Sequence, residues 1–165
     1  MLKLLTITLV FISACAFGQK SPTYVSVEGG GNGIIGSVNV AKAFILHPDF
    51  EVIFQWGIGW SPDFAQANIP INLPVQVVCK FGKHNFFLET GVGSTLIFGS
   101  TLNKSEDEKA GNEVYLSPIV GFRHESRNWF GRIYACPLIH VTGENLHDDL
   151  TSGFVKIGVG VGVIF

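Results

Sequence analysis

Val155-Lys156-Ile157-Gly158-Val159-Gly160-Val161-Gly162-Val163-Ile164-Phe165 closes the chain and decides the reading of its fold. Odd positions carry Val155, Ile157, Val159, Val161, Val163 and Phe165, while even positions include Lys156, Gly158, Gly160 and Gly162. Successive side chains of a strand point to opposite faces, so one face here is wholly apolar and the other small or charged. A soluble sheet alternates too, with its apolar face turned inward. Glycine separates the two cases. On a water-facing surface each glycine only weakens the strand. Inside a narrow eight-stranded barrel the lumen is just wide enough for side chains to fill, so small residues must stand beside large ones. The stretch predicts a barrel with its apolar face outside.

The same alternation runs back through the chain. Phe86, Leu88, Val92, Leu96 and Phe98 share a face opposite Glu89, Gly91, Gly93 and Thr95. Phe50, Val52, Phe54, Trp56, Ile58 and Trp60 oppose Glu51, Gln55, Gly57 and Gly59. Ile71, Leu73, Val75, Val77 and Phe81 oppose Asn72, Gln76 and Lys80. Two residues disturb the pattern: Lys42 falls on an apolar face and Phe130 on a polar one. Breaks at turn residues divide the chain into eight strands, at about 23–30, 34–46, 50–60, 69–82, 85–99, 113–124, 129–141 and 153–165. Gly29–Gly33 reads as a tight first hairpin. The later connections alternate between short (47–49, 83–84, 125–128) and long (61–68, 100–112, 142–152). Short turns at one end and long loops at the other, with both termini on the short side, are the layout of an up-and-down transmembrane barrel.

Aromatics support this. At the short-turn end the apolar face carries Phe44, Phe50, Phe81, Phe86, Phe122, Trp129 and Phe165, so seven of the eight strands place an aromatic at one level. Such a girdle is expected where a barrel meets lipid headgroups. Trp60 and Phe98 offer a thinner counterpart at the other rim. Between the rims, about ten tilted residues span about 25 Å, the height of an apolar band.

Composition agrees. Of 165 residues, 47% are hydrophobic and 15% charged, against about a quarter charged in a soluble domain. The net charge of −2 gives no footprint for nucleic acid. The length allows one domain with a sizeable core. Beyond the first twenty positions no apolar run reaches the 18 residues of a spanning helix. At the start, Lys3, the apolar Leu4–Ile12 stretch and Ala16-Phe17-Gly18 before Gln19 predict a signal peptide over residues 1–18. The barrel domain is then 19–165. Ile12-Ser13-Ala14-Cys15 resembles a bacterial lipobox, so lipid modification at Cys15 stands as the alternative to cleavage before Gln19. Cys79 and Cys136 fall on opposite faces and are expected to stay unbridged. The chain stops at Phe165, with no appended peptidoglycan-binding domain expected on that side.

Val27-Glu28-Gly29-Gly30-Gly31-Asn32-Gly33, Ile119-Val120-Gly121-Phe122-Arg123, Pro137-Leu138-Ile139 and Gly160-Val161-Gly162-Val163-Ile164-Phe165 together resemble the small outer-membrane β-barrel proteins of Gram-negative bacteria, of the Bacteroidetes type. The resemblance covers the mature chain and implies a barrel and an address, with no catalytic residues. Phe165, with Val163 and Val161 before it, is similar to the signal read by the outer-membrane barrel-assembly machinery. That machinery and outer-membrane lipid are the implied partners. The partner of the outer loops is unnamed.

Charges assigned inward are Glu28, Glu51, Lys80, Glu89, Arg123, Arg132 and Lys156. Three acids and four bases in one lumen must pair, because isolated buried charge is too costly. Their expected role is an ion-pair plug that keeps the lumen filled. A gated pore is the sharper alternative, with Glu89, Arg123 and Arg132 as its gate. His124-Glu125-Ser126 has the spacing of outer-membrane lipid A deacylases, whose serine needs a nearby base, but it falls in a short turn. His140, His147, Asp148 and Asp149 match no metal-ligand spacing. Residues 100–112, with Lys104, Glu106, Asp107, Glu108 and Lys109, read as a charged outer loop. The glycine-rich 29–33 segment opens no helix, so it is no phosphate loop. The expectation is an all-β, eight-stranded antiparallel up-and-down transmembrane barrel, non-enzymatic and without cofactor or metal. Its rival of another class is a secreted lipocalin-like barrel, turned inside out.

Overall fold

The computed structural model describes residues 21–60, 71–98, 112–142 and 155–165. The predicted signal peptide over 1–18, Cys15, residues 100–111 of the charged loop, and His147, Asp148 and Asp149 lie outside the described residues. Strands β1 (Thr23–Gly30), β2 (Gly36–His47), β3 (Phe50–Trp60), β4 (Ile71–Lys83), β5 (Phe86–Phe98), β6 (Asn112–Glu125), β7 (Trp129–Pro137), β8 (Ile139–Thr142) and β9 (Val155–Ile164) follow in order. Each pairs antiparallel with its neighbour, and β9 returns to β1. β7 and β8 are two halves of one stave, both paired with β6, so the closed barrel has eight staves.

The seventh stave breaks for a chemical reason. Val120 pairs with Ala135 and Leu116 with Ile139, and that register sets Pro118 opposite Pro137. Neither proline has an N–H to give the ladder. The pairing lapses there, and Leu138 turns inward against Ile34, Ile97 and Tyr115.

The two faces are inverted relative to a soluble protein. Thirty large hydrophobic side chains are exposed among the described residues, including Val155, Ile157, Val159, Val161, Val163 and Phe165. Within the wall lie sixteen buried polar or charged residues, among them Glu28, Lys80, Glu89, Arg123 and Arg132. The lipocalin-like alternative requires the opposite assignment of both faces.

The β9 glycines now have a reason. Gly158, Gly160 and Gly162 pair with Tyr134, Arg132 and Phe130 of β7, the three large inward residues of that strand. A Cβ at Gly158 would enter the Tyr134 ring, and one at Gly162 would lie 2.6 Å from Phe130. Small on one stave and large on the next lets the lumen fill without voids. Phe130 itself belongs inside: its ring packs edge-on against Tyr24 at 5.3 Å and lies under the Arg123 guanidinium at 4.3 Å. Lys42 stays on the outer face at the short-turn end, where Nζ donates to the Ser21 carbonyl at 2.8 Å.

Short turns close β2–β3, β4–β5 and β6–β7 at one end, and the start of β1 meets the end of the last strand there, Phe165 N–H donating to the Thr23 carbonyl at 2.9 Å. His84 takes φ +64° in the turn between Lys83 and Phe86. The first hairpin differs from expectation. It does not project outward as a tight turn: Gly31–Gly33 forms a single 3-10 turn whose residues are all buried. β2 therefore starts at Gly36 rather than at residue 34.

Candidate functional site

Inward parity assembles the charges. Lys80, on β4, reaches Glu51 of β3 at 2.9 Å and Glu125 of β6 at 2.8 Å, near the short-turn end. Its Nζ also sits 4.3 Å from the centre of the Phe87 ring. Arg123 of β6 pairs with Glu89 of β5 and lies 3.6 Å from Glu125. Glu89 bridges to Arg132 of β7 at 3.2 Å, and Arg132 continues to Glu28 of β1 at 3.2 Å. Arg132 also donates to Gln55 at 2.9 Å and Gln76 at 3.2 Å. Above it, Glu28 accepts from Gln55 at 3.0 Å and from the Tyr134 hydroxyl at 3.0 Å. The result is one connected ladder, Glu51/Glu125–Lys80, Glu125–Arg123–Glu89–Arg132–Glu28–Tyr134, tying together six of the eight staves.

Two members differ from the sequence reading. Lys156 faces inward but stands at the loop end of β9, paired across the sheet with Cys136 of β7. Among the described residues no carboxylate comes within ion-pair distance of it, so it is not part of the ladder. Glu125 joins instead. Read as a turn residue, it continues β6 and keeps the inward parity of Arg123. The connected ladder thus holds four carboxylates against three cations, one negative charge in excess. Neutral groups complete it: besides Gln55, Gln76 and Tyr134, the Tyr24 hydroxyl accepts from Lys80 Nζ at 3.4 Å, and inward parity marks all four in the sequence.

Burial sets the energetics. Glu89 is 0%, Arg123 1% and Arg132 3% exposed. In such surroundings each ion is tolerated only because partners replace its water, and removing one partner leaves an uncompensated charge. The ladder can hold the staves in register and fill the lumen.

The other candidate groups do not assemble. His124 faces outward between Phe86, at 4.7 Å between rings, and Trp129, at 5.5 Å. Glu125 points inward to Lys80, and the Ser126 N–H donates to the Trp129 carbonyl at 2.8 Å. No hydrogen bond joins His124 to Ser126 among the described residues. His140 packs edge-on against Tyr115, with 5.3 Å between ring centres. No cluster of three metal-ligating side chains occurs among the described residues. Cys79 is half-buried on the outer face, and Cys136 is buried in the lumen; both are free thiols.

Phe44, Phe50, Phe81, Phe86, Phe122, Trp129 and Phe165 all lie on the outer face, with Phe50 and Phe81 stacked at 4.8 Å across β3 and β4. Trp60 and Phe98 are exposed at the opposite end.

No protein-family model matches the chain. No curated protein matches it either. Among solved structures it is similar to the N-terminal β-barrel domain of Pseudomonas aeruginosa OprF, with TM-score 0.55 and 13% identity, covering 87% of this chain and 97% of that one. Ail, the attachment invasion locus protein of Yersinia pestis, aligns with TM-score 0.47 and 13% identity over 88% of this chain and 97% of that one. The likeness to the OprF domain is one of fold: a closed eight-stranded antiparallel barrel.

Proposed function

We propose that this chain is an integral β-barrel of the bacterial outer membrane, of the small Gram-negative, Bacteroidetes-type kind, with a side-chain-filled lumen and a non-enzymatic structural or surface-interaction role. Residues 1–18 export it. The observation that carries the reading is the inversion of faces, with apolar side chains around the outer wall and charges inside. A soluble monomer rarely exposes a contiguous apolar patch beyond a few hundred Å², whereas a lipid-facing wall requires one. The fold shared with the OprF barrel domain supports the same reading. The seven aromatics at the short-turn end are assigned to the membrane interface, and Phe165, Val163 and Val161 to the signal for the barrel-assembly machinery. Closure of the barrel suits the medium, because hydrocarbon offers no partner for an unpaired strand edge.

The lumen ladder is assigned as a plug that keeps the barrel closed, with function left to the outer loops, as is usual for loops held on a rigid scaffold. Conductance across a planar bilayer tests this. The purified chain should insert and give a flat trace with no sustained channel steps. Stable unitary steps would move the assignment to the narrow-pore reading, with Glu89, Arg123 and Arg132 as the pairs that exchange.

A further inference from the structure

The first hairpin connection is built differently from a turn that merely reverses the chain. We infer that Gly31–Gly33 is a retractable plug of the loop end of the lumen, held by hydrogen bonds from staves across the lumen and opposed by strain in its own backbone. The inference goes beyond the membrane assignment and does not depend on it.

Three bonds seat the plug. The Thr95 hydroxyl donates to the Asn32 carbonyl at 2.9 Å, Asn72 Nδ2 donates to the Gly33 carbonyl at 3.2 Å, and the Asn32 N–H donates to the Tyr134 hydroxyl at 3.3 Å. These partners stand on β5, β4 and β7, so the segment reaches across the lumen. Burial of Ile34 against Ile97, Tyr115 and Leu138 adds an apolar anchor.

Two features oppose the seated state. Ile34 has φ +66° and ψ −73°, and the Ile35 N–H donates to the Gly33 carbonyl at 2.9 Å. That is a γ-turn of the positive-φ kind, rare and strained, here centred on a β-branched residue. The Asn32 side-chain amide is fully buried, yet neither its Nδ2 nor its Oδ1 has a partner among the described residues. A buried amide without partners carries its full desolvation cost. Withdrawal relieves both. Gly30 at φ +72° and Gly31 at φ +63° supply a hinge that no other residue type would adopt so readily. Seating bonds and opposing strain thus act on the same short segment, the makings of a two-state element. Withdrawn, the segment opens the loop end of the lumen to water and small polar solutes, while the ion-pair ladder below stays closed.

Ser37 reports the motion directly. It is fully buried, and a Cβ on Gly33 would lie 2.6 Å from its hydroxyl, so the plug covers it. The test uses the full chain with Cys15→Ser, Cys79→Ser and Cys136→Ala, folded in detergent, with Ser37→Cys as the site and a bulky water-soluble maleimide as the probe. Ser26→Cys, buried low in the lumen beside Gly162, is the control site. Labelling at position 37 should be slow and should accelerate about fivefold with Thr95→Val, the loss of one net hydrogen bond. Thr95→Ser should restore the slow rate, and position 26 should not respond to either change. Equal acceleration at both positions would mean general loosening and would overturn the plug. So would a rate at position 37 unmoved by Thr95→Val, or one already as fast as an exposed thiol.

Discussion

Arg132→Met is expected to destabilise the folded barrel by about 3–5 kcal/mol, the cost of breaking a buried ion pair from one side. Arg132 holds Glu28 and Glu89 at 3.2 Å each and donates to Gln55 and Gln76. Methionine fills much of the space and supplies none of the charge. Glu89 retains Arg123, and Glu28 retains Gln55 and the Tyr134 hydroxyl, so the loss should stop short of complete unfolding. Denaturant titration followed by the folded fraction on a gel measures it. Adding Glu28→Gln should recover part of the loss, since the pair is coupled and its costs are not additive. Unchanged stability in Arg132→Met would mean that water reaches the ladder and screens it.

Val159→Arg tests the outer face as directly as Arg132→Met tests the inner one. Val159 sits midway along β9, is 56% exposed, and pairs with Gly29 and Ile133 of the flanking staves. On a lipid-facing wall near the bilayer midplane, an arginine costs about 2–4 kcal/mol. Insertion into lipid vesicles should therefore fall roughly thirtyfold or more at the lower end of that range. On a water-facing wall the same change would be near neutral, within about 0.5 kcal/mol. Gly160→Arg should fail as well, but for the other reason. A Cβ there already meets Glu28 Cγ at 2.8 Å and Arg132 Cγ at 3.1 Å. Its defect should persist in detergent, whereas Val159→Arg should still fold in micelles that let the guanidinium reach water.

Much of this was legible in the sequence, because the period-two rule acts locally. Phe50, Phe81, Phe86 and the odd-numbered residues from Val155 to Phe165 reach the outer face by parity alone, and strand boundaries follow from turn residues. Partnering across the lumen is another matter. It depends on the stagger between staves, which no single strand encodes. Lys156 has the right parity but the wrong height, and Glu125 lies one step beyond the strand end that turn chemistry predicts. The break at Leu138 needed the register that places Pro118 against Pro137. The inward fold of Gly31–Gly33 needed Tyr134, Asn72 and Thr95, each distant in sequence from the turn they hold. The β9 glycines are the intermediate case. That they mark a crowded lumen was readable, but that each serves one named side chain of β7 was not.

The inversion of faces is the claim on which the rest stands, and heat-modifiability on a gel tests it most directly. Cells expressing the full chain would be separated into outer-membrane, periplasmic and secreted fractions, each run with and without boiling. A detergent-resistant barrel predicts two mobilities in the outer-membrane fraction, a compact unheated band and a slower boiled one. A single band of unchanged mobility in the soluble periplasmic or secreted fraction would contradict the account and would put the apolar face of Val155–Phe165 on the inside.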